Sequence, residues 1–178
     1  MLKTLRKIHE IGIVSETPPQ PDELLRVRAA LDERIRRVLG RALCIRHVDA
    51  GSCNGCELEI QALNNPIYNL EGLGVRFVAS PRHADLLLVT GPVAVNMEAA
   101  LRRVHDATPD PKRVVAIGDC GCTGGLFAPA DARCGSDCAP LGKVSNIIPV
   151  DVAVPGCPPS PARIMQGILT AIGAGASY

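Results

Sequence analysis

The 178 residues are 47% hydrophobic and 21% charged, with a formal net charge of +1. That composition suits a globular chain with one sizeable core and excludes a disordered one. The balanced charge and the four aromatic residues (Tyr68, Phe77, Phe127 and Tyr178) offer neither the basic footprint nor the stacking platforms of a nucleic-acid binder. Residues 1–14 scatter Lys3, Arg6, Lys7 and Glu10 among apolar positions, so no secretory signal is expected. No apolar run approaches the roughly 20 residues of a membrane span. Eight cysteines in such a chain point to thiols in a reducing cytoplasm rather than to a disulfide scaffold.

In chain order, Leu2, Leu5, Ile8 and Ile11 give a weak helical period that Gly12 interrupts. Residues 15–21 hold three prolines and read as a stiff linker. Asp22 then suits the N-cap of a helix running to about Leu39, with Leu24, Val27, Leu31, Ile35 and Val38 on one face and Gly40 placed to end it. Arg26, Arg28, Arg34, Arg36 and Arg37 crowd the remaining surface. Two readings stand side by side: a helix packed on its own domain, or one docked on a partner or an anionic membrane surface. Residues 1–40 are accordingly expected as an N-terminal helical extension, and residues 41–178 as an α/β domain.

From residue 41 the pattern alternates. Strands are expected at 42–48, 75–79, 85–89, 113–117 and 151–154. Helices are expected from 57 to 63, from 95 to 104 and from 162 to 172. Alternation of this kind predicts a doubly wound parallel sheet. Residues 118–146, mostly glycine, proline and small polar types, read as a loop long for a plain connection, of the kind that is usually functional or mobile.

Four cysteines follow the ends of these strands: Cys53 and Cys56 in a Cys-x-x-Cys step, Cys120 after residues 113–117, and Cys157 after residues 151–154. In an open α/β sheet, ligands bind beyond the carboxyl ends of the strands, so three loops deliver thiols to one crevice. A redox dithiol accounts for the first pair alone. Structural zinc usually takes two short-spaced pairs, whereas the third and fourth thiols here are single. An iron–sulfur cluster needs only four thiolates that converge in space. The surrounding glycines (Gly51, Gly55, Gly118, Gly121, Gly124, Gly125 and Gly156) would let backbone pass close to a bulky inorganic core. Spacing alone leaves cluster, zinc and dithiol open, in that order of preference.

Three segments carry a resemblance. They are Gly51-Ser52-Cys53-Asn54-Gly55-Cys56-Glu57-Leu58-Glu59, Gly118-Asp119-Cys120 with Gly124-Gly125, and Val154-Pro155-Gly156-Cys157-Pro158-Pro159-Ser160-Pro161. In this order they resemble the small subunit of nickel–iron hydrogenases. The likeness is strongest to the membrane-bound, energy-converting group, which is related to the 20 kDa subunit of respiratory complex I. Residues 82–91 also resemble that family's central strand, and the likeness covers about residues 42–172. It implies a flavodoxin-like domain with helices on both faces, holding one 4Fe–4S cluster on Cys53, Cys56, Cys120 and Cys157. The implied role is electron relay between a ferredoxin-like donor subunit and the nickel–iron site of a large subunit. The implied complex includes integral membrane subunits, with this chain peripheral on the cytoplasmic side. Complex I relatives carry adjacent cysteines at the first station, so the Cys-x-x-Cys spacing favours the hydrogenase branch. The alternative is the equivalent subunit of a complex I-like quinone or cofactor oxidoreductase. A zinc-stabilised interaction module is the non-redox alternative.

The remaining chemistry-bearing residues are expected to be quieter. Cys44 reads as a small buried hydrophobe, and Cys122, Cys134 and Cys138 form an incomplete set with no fourth partner. The chain ends soon after its last expected helix, so one cluster is expected. Glu57 and Glu59 suit the first turn of a helix as the default reading, with a proton-route role toward a partner's active site as the alternative that their position offers. His9, His47, His83 and His105 are scattered, and no nucleotide-binding glycine motif or nucleophile elbow occurs. No residue of this chain is expected to be catalytic on its own.

Overall fold

A computed structural model describes residues 21–127 and 141–173. Its first element, α1 (Pro21–Val38), opens on a proline and has Asp22 and Glu23 in the first turn and Arg36 and Arg37 in the last. Both charge placements complement the helix dipole. The chain then winds through β1 (Leu43–Asp49), α2 (Gly55–Ala62), β2 (Val75–Phe77), β3 (Leu86–Thr90), α3 (Val95–Ala107), β4 (Arg113–Ile117), α4 (Gly118–Thr123), β5 (Val152–Val154) and α5 (Pro161–Gly173). Short 3₁₀ turns stand at Glu71–Leu73, Pro81–His83, Gly125–Phe127 and Val144–Asn146.

The five strands form one sheet in the order β2-β1-β3-β4-β5, and every pairing is parallel. This is the doubly wound, flavodoxin-like order expected from the alternation. Central β3 is buried along its whole length, and its side chains alternate between two cores. Leu86 and Leu88 join Leu43, Ile45, Val115 and Ile117 on the face covered by α1, α2 and α5. Leu87 and Val89 join Val48, Val114 and Ala116 on the face covered by α3, through Leu101, and by Val144 and Ile148. A strand buried on both faces is what a near-continuous apolar run such as 86–89 encodes. Burial of each leucine here contributes about 1.5–3 kcal/mol.

The apolar stripe of α1 is covered within this chain. Leu31 and Ile35 are buried in the first core, with Leu24, Val27 and Val38 packed against it. Residues 1–20, which include the linker and the Leu2 to Ile11 period, lie outside the described residues.

Candidate metal centre

The loops after β1, β4 and β5 leave the same end of the sheet, because the strands are parallel. After β1, the Asp49 carboxylate accepts N–H bonds from Gly51 and Ser52, both at 2.8 Å, and turns the chain back over the sheet. Asn54 then takes a left-handed conformation (φ 73°), which asparagine tolerates better than most residues, and α2 begins at the next residue. Cys53 therefore stands just before the helix and Cys56 in its first turn. After β4 the chain passes straight into α4, which carries Cys120. The Asp119 N–H donates to the Gly156 carbonyl at 2.8 Å, and the Gly156 N–H donates to Asp119 Oδ1 at 2.8 Å. This reciprocal pair fixes the Cys120 loop against the Cys157 loop.

Cys53, Cys56, Cys120 and Cys157 line one cavity of about 130 Å³, together with Ser52, Gly55, Gly91, Asp119, Gly156 and Pro158. Cys56 is buried, Cys120 half-buried, and Cys53 and Cys157 exposed, so the cavity opens to one side. Two glycines keep it clear. A Cβ on Gly118 (φ +82°) would lie 2.6 Å from Cys56 Sγ, and one on Gly125 (φ +53°) would lie 2.9 Å from Cys120 Sγ. Two wider grooves flank α1, and neither is lined by a cysteine or histidine; the smaller cavity is the one that gathers the thiols.

The thiols oppose one another's ionisation. Burial, then the charges of Glu57, Cys120, Cys53 and Cys157, pushes the Cys56 thiol up to about 12. Burial also raises Cys120, with Cys157, Cys53 and Asp119 adding to it and a backbone hydrogen bond opposing. Thiolate charge at these two positions is favourable only against a cationic partner, whose binding would release their protons. Four sulfur donors, an open centre and glycine walls at the sulfurs fit an iron–sulfur core, which takes four cysteine thiolates.

The other cysteines lie elsewhere. Cys122, two residues after Cys120, packs against the second core, its Sγ–H donating to the Ala116 carbonyl at 3.5 Å. Burial pushes its thiol up to about 11, with a backbone hydrogen bond opposing and Asp119 adding. Cys44 is half-buried on β1, with its sulfur 3.9 Å from the Ala42 carbonyl. His9, Cys134 and Cys138 lie outside the described residues.

One feature of the site was not expected from the sequence. Glu57, read as a first-turn helix acid, is buried beside Cys56 with only 8% of its surface exposed. Ser52 Oγ–H donates to its Oε2 at 2.6 Å, and Thr90 Oγ1–H donates to its Oε1. His47 Nε2 stands 3.0 Å from the same threonine oxygen and 3.6 Å from Glu57 Oε1. Burial lowers the His47 pKa, against the raising effects of Glu57 and Asp49. His47 Nε2 thus stands within hydrogen-bond distance of the Thr90 hydroxyl, which itself donates to Glu57. The available signal was polar residues at His47 and Thr90 within apolar strand runs.

Residues 53–171 match the family described as NADH ubiquinone oxidoreductase, 20 Kd subunit. The chain is 46% identical over 148 residues to the probable membrane-bound hydrogenase subunit mbhJ of Pyrococcus furiosus, covering 82% of this chain and 84% of that one. It is 40% identical to formate hydrogenlyase subunit 7 of Escherichia coli, over 82% of this chain and 54% of that one. An NADH-quinone oxidoreductase subunit of Desulfovibrio desulfuricans is also 40% identical, over 73% and 66%. Among solved structures, a chain of the archaeal membrane-bound sulfane sulfur reductase superposes with a TM-score of 0.63 at 31% identity, covering 82% of this chain and 77% of that one. A chain of an NAD+-reducing [NiFe]-hydrogenase shares the fold, with a TM-score of 0.55 at 23% identity over 78% and 96% of the two chains. The chain therefore belongs to the family of the complex I 20 kDa subunit and its hydrogenase counterparts, and is an oxidoreductase subunit.

Proposed function

We propose that Cys53, Cys56, Cys120 and Cys157 hold one 4Fe–4S cluster and that this chain is an electron-relay subunit of a membrane-bound nickel–iron hydrogenase. The observation that carries the reading is the meeting of four thiols from three separate loops around one cavity. When bound, such a cluster accepts and releases single electrons. The protein's own residues hold the loops in place, exclude water from Cys56 and leave one side open. Leu58 and Leu126, both near the cysteine stations in sequence, expose 57% and 86% of their surface. Two exposed thiols at the open side of the cavity suit a partner subunit that carries the nickel–iron site. A ferredoxin-like subunit would complete the relay on the donor side. Among the described residues no helix is long and apolar enough to cross a membrane. The proposed complex places this chain beside integral membrane subunits, on their cytoplasmic face.

The Cys-x-x-Cys spacing at residues 53–56 and the 46% identity to the hydrogenase subunit favour the hydrogenase branch. The complex I-like reading draws on the 40% identity to the quinone oxidoreductase relative. In both, the acceptor chemistry lies in the partner, and the relay residues are the same. Anaerobic purification should give about four iron and four sulfide per chain, as one 4Fe–4S cluster requires. Stoichiometric zinc with no iron would refute the cluster. Nickel in the co-purified large subunit supports the hydrogenase reading, and an iron-loaded complex without nickel supports the complex I-like one.

A further inference from the structure

The thiol cavity is electrostatically one-sided. Asp119 lines it, Glu57 is buried beside Cys56, and no lysine, arginine or histidine is among its lining residues. Glu57 is placed by specific contacts: hydroxyls from the first cysteine loop (Ser52) and from the end of β3 (Thr90) each donate to one of its oxygens. Two donors on two oxygens are the partners an anionic carboxylate takes, since an ionised carboxyl only accepts. His47 reaches the same group through Thr90, and Asp49, Arg46 and Glu57 are the charged groups acting on that histidine.

We infer that Glu57 is a tuning residue: its buried charge, held by Ser52 and Thr90, keeps the reduction potential of the neighbouring cluster low. This inference rests on the four-cysteine cluster proposed above. Reduction adds negative charge to the cluster, and a fixed anion in a poorly solvated site opposes that addition more strongly than one in water. Cluster potentials respond to net charge and hydrogen bonding around the sulfurs. A low potential suits a relay that must reduce a demanding acceptor.

The test is an EPR-monitored redox titration of the protein purified with its partner subunits, comparing wild type with Glu57→Gln, Glu57→Asp and Glu59→Gln. Glutamine keeps an oxygen for Thr90 and presents an amide to Ser52 Oγ, so it removes the charge and retains the shape. Glu57→Gln should ease reduction at least about tenfold, an upward shift of about 59 mV for one electron. Glu57→Asp should move the potential by less than half as much. Glu59→Gln removes a charge two residues further along, from a side chain that is only half-buried, and should do the same. An unmoved potential in Glu57→Gln, or equal shifts in all three variants, overturns the inference. So does loss of iron from Glu57→Gln alone, because Glu57 would then be needed for assembly and not for tuning. Iron and sulfide in the wild type separate the two claims. A wild type without a cluster refutes the site itself, whereas a loaded wild type with an indifferent Glu57→Gln refutes only the tuning role.

Discussion

Gly118→Ala probes the cavity wall directly. Gly118 sits at φ +82° between β4 and the Cys120 turn, and an added Cβ would lie 2.6 Å from Cys56 Sγ. The first cost is conformational, about 1–2 kcal/mol for a residue with a Cβ in left-handed backbone. The second is steric: the contact is about 1 Å inside the usual separation of roughly 3.5–4.0 Å, and overpacking of this kind costs about 1–3 kcal/mol. Cys56 cannot retreat as a unit, because Ile60 of the same short helix is buried in the first core and Glu57 is held by Ser52 and Thr90. The thiol yields only by swinging out of the cavity. Gly40→Ala is the matched control, since Gly40 has φ +62° and nothing within 4 Å of an added Cβ. Gly40→Ala should lose about 1–2 kcal/mol in a denaturant titration and keep its full iron content. Gly118→Ala should lose roughly 2–5 kcal/mol, the sum of the two costs, and less than half of its iron should survive anaerobic reconstitution. Equal iron in the two variants would refute the view that Gly118 is glycine to make room for a ligating sulfur.

Two further outcomes follow from the cysteine geometry. Cys120→Ser should lose or destabilise the cluster, and Cys122→Ser, two residues on but facing the second core, should leave the visible and EPR spectra nearly unchanged; the opposite pattern would exchange their roles. Cys122 should also resist alkylation at pH 8: raising its pKa from 9.0 to about 11 cuts the thiolate fraction roughly a hundredfold. Higher intrinsic nucleophilicity recovers about half of that on a logarithmic scale, leaving a roughly tenfold slowing relative to the unfolded chain. The sign for stability follows, because the folded state holds this proton more tightly. The contribution is fully present below the unfolded value of 9.0 and is lost as pH rises through about 11. Mass-spectrometric labelling rates across pH 7–10, with and without denaturant, would contradict this if the native thiol reacted as fast as the unfolded one.

What was legible from the residues was whatever depended on period and position along the chain. The run 86–89 and the strand Arg113–Ile117 encode strands buried on two faces, and parallel strands necessarily gather their following loops at one end. That is why Cys53, Cys56, Cys120 and Cys157 could be grouped before any coordinates. Three strand starts were read one residue early, and those at Asp85 and Asp151 share a reason. The Asp85 carboxylate accepts from the Cys44 N–H at 2.9 Å and from Arg41, and the Asp151 carboxylate accepts from the Val114 N–H at 2.8 Å. Each aspartate uses its side chain to join the neighbouring strand just outside the ladder. The helix Gly118–Thr123 was read as loop because two of its six residues are glycine; tertiary contacts, such as Gly121 against Val144 and Ala116, override that poor propensity. The partners of Glu57 were invisible for another reason. Ser52, Thr90 and His47 lie 5, 33 and 10 positions away, and only the β1–β3 register brings them together.

The same contacts indicate how a site with no short repeated motif keeps its shape. Asp49 holds the start of the first cysteine loop, Glu57 ties that loop to β3, and Asp119 ties the second loop to the third. Each carboxylate accepts from backbone N–H or hydroxyl donors that would otherwise go unpaired at the end of a sheet, so each bond satisfies a polar group and fixes a loop together. Two of these carboxylates also act on the thiols: Glu57 opposes thiolate formation at Cys56, and Asp119 at Cys120. A cavity built in this way is ordered by its acids yet reluctant to ionise its buried sulfurs. It therefore favours a ligand that brings several positive centres at once over adventitious binding of a single ion.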